Sequence, residues 1–385
     1  MLPRLAFGNL LGRRFRIRAA VADDAPVIAR LLRAQEKAHK GSLGGVHYPS
    51  LRESVRKGWV HVGLFGDEIV GSVEYYRRQD GWQTVYQLAV DLRYEGLGIG
   101  RNLLYSVDCP VRLKCPVTVN GGDANPANTF YANAGMRLAA TDTTRTGKAL
   151  NVWELPILPI LVQGTNRRMP EVARRSGWAY GTRNAEIPRD WCYQLDIEWR
   201  NYVWTEYLDL VRQIRPFAAL VPDYEHRSQR RTMLNRIEHL KALGVMRVLV
   251  CPKFDGAVAD IPADCVVAVS IPSSYAGFVP HYHELNGRRV HLLGGSPPKW
   301  FGARSKQQSA TGYIAGMVGA GAQVISVDGN AHTGAAEGGI LWHDHRWIKP
   351  DEPVDLYGFS VRSGRAILAD LHAVSTRQQL SLFAA

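Results

Sequence analysis

Cysteine is scarce: Cys109, Cys115, Cys192, Cys251 and Cys265 are the only five among 385 residues. An odd number without close pairs argues against a disulfide scaffold. The absence of any Cys-x-x-Cys excludes the usual structural zinc site. Long apolar runs are missing too. None approaches the roughly 20 residues that span a bilayer, so neither a membrane-spanning segment nor a membrane partner is expected. Acidic residues are the minority charge, 35 Asp and Glu against 47 Lys and Arg, which leaves a net +12. That surplus fits an anionic partner such as a nucleic acid or a phosphorylated cofactor, and it fits equally a basic enzyme with no polymer partner. No internal repeat or low-complexity tract is visible. The arginines at 4, 13, 14, 16 and 18 surround a short apolar stretch with no small-residue cleavage site. This reads as a basic lead-in to a first strand, not a signal peptide, and a cytoplasmic location is expected.

What is present is an ordinary globular composition, 46% apolar and 21% charged, in a chain long enough for two domains. Pattern and connector composition divide it near Leu155–Arg168, where Leu-Pro-Ile-Leu-Pro-Ile-Leu runs into Gln-Gly-Thr-Asn-Arg-Arg. The expected fold class is α/β in two domains, a mixed α+β domain over residues 1–160 and a TIM-barrel-like (β/α) domain over 168–385. In the first half, strands are read at Phe15–Ala19, Trp59–Phe65, Glu68–Tyr76, Val85–Val90 and Ala149–Leu158, with a hairpin turn at Gly66-Asp67. Asp23 or Asp24 can cap a helix carrying Val27, Ile28, Leu31 and Leu32. Further helices are read at Arg101–Tyr105 and Asn125–Ala134. The second half alternates more regularly. Strands are read at Trp178–Arg183, Cys192–Ile197, Phe217–Pro222, Arg247–Cys251, Val266–Ile271, Arg289–Leu293 and Val324–Val327, with an amphipathic helix over Arg231–Leu243. Strand, crossover, strand repeated this often implies a parallel sheet covered on both faces. A barrel suits it, and an open doubly wound sheet is the alternative.

In the first half the informative stretch is Arg93-Tyr-Glu-Gly96-Leu-Gly98-Ile-Gly100-Arg101, a strand running through alternating glycines into a helix. Glycines admit close backbone approach, and a helix start offers free N–H groups to a pyrophosphate. Downstream stands Asn125-Pro-Ala-Asn-Thr-Phe130-Tyr131-Ala-Asn-Ala-Gly135-Met136. The first stretch resembles the pyrophosphate loop of the GNAT acyltransferase superfamily, Arg/Gln-x-x-Gly-x-Gly/Ala, and the second its Asn…Phe-Tyr-x-x-x-Gly-Phe motif. The resemblance covers about Phe15–Leu158. It implies a GNAT-like domain that binds acetyl-CoA or another acyl-CoA at Leu88, Val90, Arg93, Gly96, Gly98, Gly100 and Arg101. It also implies direct acyl transfer to an amine, with Tyr131 as the acid that protonates the departing thiolate. A phenol suits that role because its pKa of about 10 exceeds that of a thiol. Glu74, on the strand before the cofactor strand, is the candidate general base.

In the second half three acids stand at or just past strand ends: Asp196, Asp223 and Asp328. In a parallel barrel those ends face the active site. Carboxylates there suit glycosidic chemistry, one attacking the sugar carbon and another moving the proton. Each is also a common strand terminator. Their surroundings resemble the tRNA-guanine transglycosylase family. The matching stretches are Val-Pro-Asp223-Tyr-Glu, Val290-His291-Leu-Leu-Gly294-Gly295-Ser-Pro, and Gly321-Ala-Gln-Val-Ile-Ser-Val-Asp328 followed by Thr333, Ala336 and Gly339. The resemblance implies Asp328 as nucleophile, Asp196 as the early acid, and Asp223 with Gly294 and Gly295 as base-binding residues. The glycine pair after the early acid is missing, Gly334 and Glu337 replace the arginines of the tail, and the zinc cysteines have no counterpart. These departures resemble the relatives that insert 7-deazaguanine bases into DNA (the DpdA type), so DNA rather than tRNA is the expected polymer. Trp300, Phe301, Tyr275 and Tyr282 can stack on a base, and Arg227–Arg236 can meet phosphates or be a solvated helix face. His281/His283 and His343/His345 lack an evident third ligand, and no metal is expected. Together these readings give a bifunctional acyltransferase and transglycosylase. The alternative is an N-acetyltransferase whose second domain only recognises the acceptor.

Overall fold

The computed structural model describes residues 15–39, 45–162, 168–183, 191–198, 202–272, 277–302, 312–351 and 355–382. They form two compact units, Met1–Leu155 with Arg189–Trp191, and Pro156–Pro188 with Cys192–Ala385.

The first unit opens with β1 (Phe15–Ala19), then α1 (Ala25–Ala38) and α2 (Tyr48–Arg56). α1 buries Ile28, Ala29, Leu31, Leu32 and Gln35, a stripe at helical spacing. Asp24 stands at its N-cap position but does not cap it. Its carboxylate reaches back to accept from the Val21 N–H at 2.7 Å and pairs with Arg18 at 2.5 Å. The chain continues through β2 (Val60–Phe65), β3 (Glu68–Arg77), β4 (Gln83–Val90), α3 (Ile99–Tyr105), β5 (Val111–Pro116), α4 (Pro126–Asn133), β6 (Arg137–Thr143) and β7 (Ala149–Leu155). These strands make one seven-stranded sheet in the order β1-β2-β3-β4-β5-β7-β6. Every neighbouring pair is antiparallel except β4 and β5.

The second unit is a closed barrel of eight parallel strands. They are β8 (Leu158–Val162), β9 (Ala179–Arg183), β10 (Gln194–Asp196), β11 (Ala218–Leu220), β12 (Arg247–Val250), β13 (Val266–Ser270), β14 (Arg289–Leu293) and β15 (Gln323–Asp328). They follow one another around the barrel, and β15 closes on β8. The open-sheet alternative therefore does not hold. The strand expected over Ala149–Leu158 is in fact two strands. β7 ends at Leu155, and the chain re-enters as β8, the first stave of the barrel. Pro156 lacks a backbone N–H and breaks the run. Helices α5 (Met169–Ser176), α6 (Trp204–Ile214), α7 (Arg230–Ala242), α8 (Pro297–Phe301) and α9 (Tyr313–Gly319) lie in the crossovers. Among the described residues, the β12–β13 and β13–β14 crossovers carry only 3-10 turns, Ala257–Asp260 and Tyr282–Leu285. After β15 come α10 (Ala331–Glu337), the hairpin β16 (Leu341–His343) and β17 (Arg346–Ile348), and α11 (Leu356–Leu382), which packs on α5, α10 and β16.

Strands such as Arg-Val-Leu-Val and Val-Val-Ala-Val-Ser are buried on both faces, as a barrel wall requires. Gly181 on β9 shows how tight the wall is. A Cβ there would lie 2.8 Å from Val162 and 3.1 Å from the Gln194 carbonyl.

Candidate functional sites

In the first unit the sheet parts in the middle. β4 and β5 pair only at Gln83 with Val111 and Thr84 with Arg112. Beyond that β4 runs on to Val90 paired with β3, and β5 runs on to Pro116 paired with β7. The gap leaves a strand edge without a strand partner. Leu88 and Val90 on β4 are half-buried, whereas their neighbours Gln87 and Ala89 are buried.

At the far end of β4 the glycine turn leads into α3. Gly96 and Gly98 have φ of +78° and +85°, and a Cβ at either would meet open space. Only glycine adopts this conformation readily, which accounts for the alternation read in the sequence. Gly100 serves differently. It lies within α3, where a Cβ would come 3.3 Å from Val90 and 3.4 Å from Phe130, so it lets helix, strand and α4 meet. Arg93 is held within the turn, its guanidinium 2.6 Å from Glu68 and 2.8 Å from Asp91, and these carboxylates push its pKa up. Arg101 donates to the Asn133 carbonyl at 2.7 Å.

Glu74 lies on β3 directly opposite Gln87 of β4. Its carboxyl is buried and accepts from the Ser54 hydroxyl at 2.6 Å. Burial raises its pKa, against the opposing effect of that bond. Gln87 donates to the Gly45 carbonyl at 2.7 Å, so the amide beside the acid is tied to the residues just before α2. Tyr131 is on α4, its ring 5.2 Å from Phe130 and 6.3 Å from Trp153, and burial pushes its phenol above the usual tyrosine range. Asn125 caps α4, accepting from the Ala127 N–H at 3.0 Å.

In the barrel, β10 and β15 end on Asp196 and Asp328, at the carboxyl end of the parallel strands. Asp328 is buried and held by three donors: Gln194 Nε2 at 2.9 Å and His291 Nε2 at 3.1 Å on Oδ2, and the Gly294 N–H at 2.5 Å on Oδ1. His291 in turn meets the Ser326 hydroxyl through Nδ1 at 2.9 Å. Asp196 has Arg183 3.7 Å away, and its Oδ1 accepts from the Ile197 N–H at 2.8 Å. Burial raises its pKa to about 7, and the negative charge of Asp328 adds to the effect, outweighing Arg183. Asp223 acts on Asp196 in the same sense and is itself paired with Lys253 at 3.1 Å. The three acids read from the sequence thus meet at one end of the barrel.

Four residues of this cluster escaped the sequence reading as functional: Gln194, His291, Ser326 and Lys253. Alternation was the signal for Gln194 and Ser326, and His291 stood inside a stretch that carried the resemblance. Gln194 and Asp196, like Ser326 and Asp328, are two apart and so share a strand face. Gly294 and Gly295 shape the loop over Asp328. The Gly294 carbonyl accepts from Trp300 Nε1 at 3.0 Å, and a Cβ on Gly295 would lie 2.9 Å from that nitrogen. Trp300 is therefore packed under the loop, 1% exposed, and offers no free face to a base. Tyr275 lies outside the described residues. Within the basic segment, Arg227 and Arg230 lie 3.9 and 2.9 Å from Asp260, and the Arg236 guanidinium lies over the rings of Tyr202 and Trp204. The His281 and His283 rings stack 5.6 Å apart, and His345 lies 3.0 Å from Asp370. Among the described residues, no group of three or more His, Cys, Asp or Glu is placed to hold a metal ion.

Half of the chain, residues 173–370, matches a family described as "Family of unknown function (DUF6610)", and the chain belongs to that family. No curated protein matches it. Among solved structures, Ard1 from Thermoplasma volcanium is similar at 17% identity over 37% of this chain and 99% of its own, with a TM-score of 0.30. An acetyltransferase of the GNAT family from Desulfovibrio desulfuricans gives 18% identity over 37% and 97%, TM-score 0.30. N-acetylglutamate synthase from Neisseria gonorrhoeae, complexed with coenzyme A and N-acetyl-glutamate, gives 18% identity over 37% and 35%, TM-score 0.29.

Proposed function

We propose that the first unit is an acyl-CoA-dependent N-acyltransferase. The parting of β4 from β5 carries this reading. It offers a strand edge without a strand partner to the amides of a pantetheine arm, beside the half-buried Leu88 and Val90 and the glycine turn into α3. In the reaction the amine nitrogen attacks the thioester carbonyl carbon, and the C–S bond breaks. Glu74 takes the proton the amine loses, a role favoured by the burial that raises its pKa. Tyr131 gives a proton to the leaving thiolate. Binding of acetyl-CoA by calorimetry, and thiol release with a panel of amines, test the reading. Neither binding nor turnover with any acyl-CoA would refute it.

A second reading, for the barrel, rests on the Asp196–Asp328 pair. Two carboxyls at one site, one of them protonated near neutrality, are the arrangement that divides acid and nucleophile roles. Asp328 attacks C1′ of a nucleotide and the glycosidic C–N bond breaks, with Asp196 protonating the departing base. The entering base loses a proton to Asp196, bonds to C1′ and frees Asp328. We assign the polymer as DNA and the entering base as a 7-deazaguanine. The five cysteines are all buried and free, unlike the zinc cluster of the tRNA enzymes. The fused acyltransferase would then act on an amine of that base or of its precursor. The test is incorporation of labelled guanine or 7-cyano-7-deazaguanine into duplex DNA and tRNA, with Asp328→Asn as control. Acyl transfer without incorporation into either polymer would reduce the barrel to an acceptor-recognition module.

A further inference from the structure

The inference rests on the reading that the barrel exchanges bases, and it concerns which atom reacts and what holds it. Oδ2 of Asp328 receives both side-chain donors, Gln194 and His291, whereas Oδ1 receives only the Gly294 N–H. A carboxylate oxygen has two in-plane lone pairs, so Oδ2 is saturated and Oδ1 keeps one lone pair free. The donors are themselves fixed. A carboxylate only accepts, so the nitrogen of His291 that faces it must carry the proton. The other nitrogen then accepts from Ser326, whose hydroxyl lies 2.9 Å away. By the same argument the amide of Gln194 must turn its NH2 to Asp328. Its Oε1 is left buried with no partner, so the amide is placed for Asp328 at the expense of its own carbonyl. Both side chains are fully buried and have no access to a polymer.

We propose that Ser326, His291 and Gln194 form a positioning chain that grips Oδ2 of Asp328 and presents Oδ1 as the attacking atom. None of the three touches substrate. The charged and titratable groups around the pair are Arg183 and Asp196 on β9 and β10, Asp223 and Lys253 beyond β11 and β12, and His291 on β14.

The experiment compares wild type, His291→Leu and His291→Gln in labelled-base incorporation, with an NMR reading of the His291 tautomer. His291→Leu removes one of the two donors that grip Oδ2, so it should lower kcat about 10- to 100-fold with KM within twofold. His291→Gln restores an N–H near the same position and should recover most of that loss. The imidazole should carry its proton on Nε2. An unchanged kcat in His291→Leu, with wild type active, would overturn the proposal alone. So would a proton on Nδ1, whatever the incorporation assay gives. Wild-type protein that exchanges no base would overturn the base-exchange reading, and this proposal with it.

Discussion

Replacing Asp196 by asparagine should stabilise the protein, and the gain should depend on pH in a defined direction. The carboxyl of Asp196 is held at a pKa of about 7, against an ordinary value of 3.8, by burial and by the neighbouring Asp328 charge. Below about pH 4 it is protonated both folded and unfolded, and contributes nothing to a pH dependence. Between about 4 and 7 the unfolded chain ionises while the folded site does not. Wild-type stability therefore falls by about 1.4 kcal/mol per pH unit through that window and levels off above it. The full gap of about three pH units corresponds to about 4 kcal/mol. Coupling to Asp328 and residual solvent contact reduce this to a working figure of about 2 kcal/mol. Asparagine mimics the neutral carboxyl and keeps an oxygen for the Ile197 N–H, so it should escape the loss. Calorimetric or urea unfolding of wild type and Asp196→Asn at about pH 3 and pH 8 reads the difference. It should be near zero at the lower pH and about 4–8 °C in Tm at the higher. A variant less stable than wild type at pH 8, or a gain independent of pH, would refute the account of Asp196 as a strained neutral acid.

Gly181→Ala should lower the unfolding midpoint of the barrel by about 1–3 kcal/mol, because its Cβ would overlap Val162 and the Gln194 backbone; an unchanged midpoint in urea would contradict the packing described. Glu154 is buried and shared by Arg112 and Arg137, each at 2.7 Å, so Glu154→Ala should cost about 3 kcal/mol by removing the carboxylate of Arg137 and leaving Arg112 only its 3.8 Å contact with Asp80, again read by urea unfolding. Glu74→Gln should cut acyl-transfer kcat about 100-fold or more and abolish the acid limb of its pH profile, with acyl-CoA Kd within twofold. Tyr131→Phe should lower kcat by about tenfold or more while leaving that limb in place, measured by thiol release.

Much of this architecture can be read from local sequence. The Gly66 turn, the α1 stripe and the alternating glycines after β4 are each dictated by residues adjacent in the chain. The acids at the barrel mouth were legible for the same reason, since Asp196 and Asp328 end their strands and Asp223 follows β11 within three residues. What could not be read depends on distant partners. Leu158–Val162 looks like the tail of a preceding strand, because Leu-Pro-Ile-Leu-Pro-Ile-Leu is apolar throughout. Only its pairing with β9 and β15 makes it a barrel stave. Trp300 reads as a stacking surface until the loop of Gly294 and Gly295 is seen to close over it. Asp24 has the residue type and position of a helix cap, yet Arg18 takes its carboxylate first. Gln194 and Ser326 look like ordinary strand residues, and one meets Asp328 across 134 positions of sequence while the other reaches it through His291.

The closing of β15 on β8 has a consequence for how the chain is born. Ser326 pairs with Leu158, so the first stave must wait for its second neighbour until almost all of the barrel has been synthesised. At the usual pace of a ribosome that wait is roughly 10–30 s. Throughout it, Leu-Pro-Ile-Leu-Val is a bare apolar edge of the kind that recruits strands from other chains. Ile160 turns its carbonyl to that edge, where Gly329 donates in the finished barrel, so the edge stays open to pairing until β15 arrives.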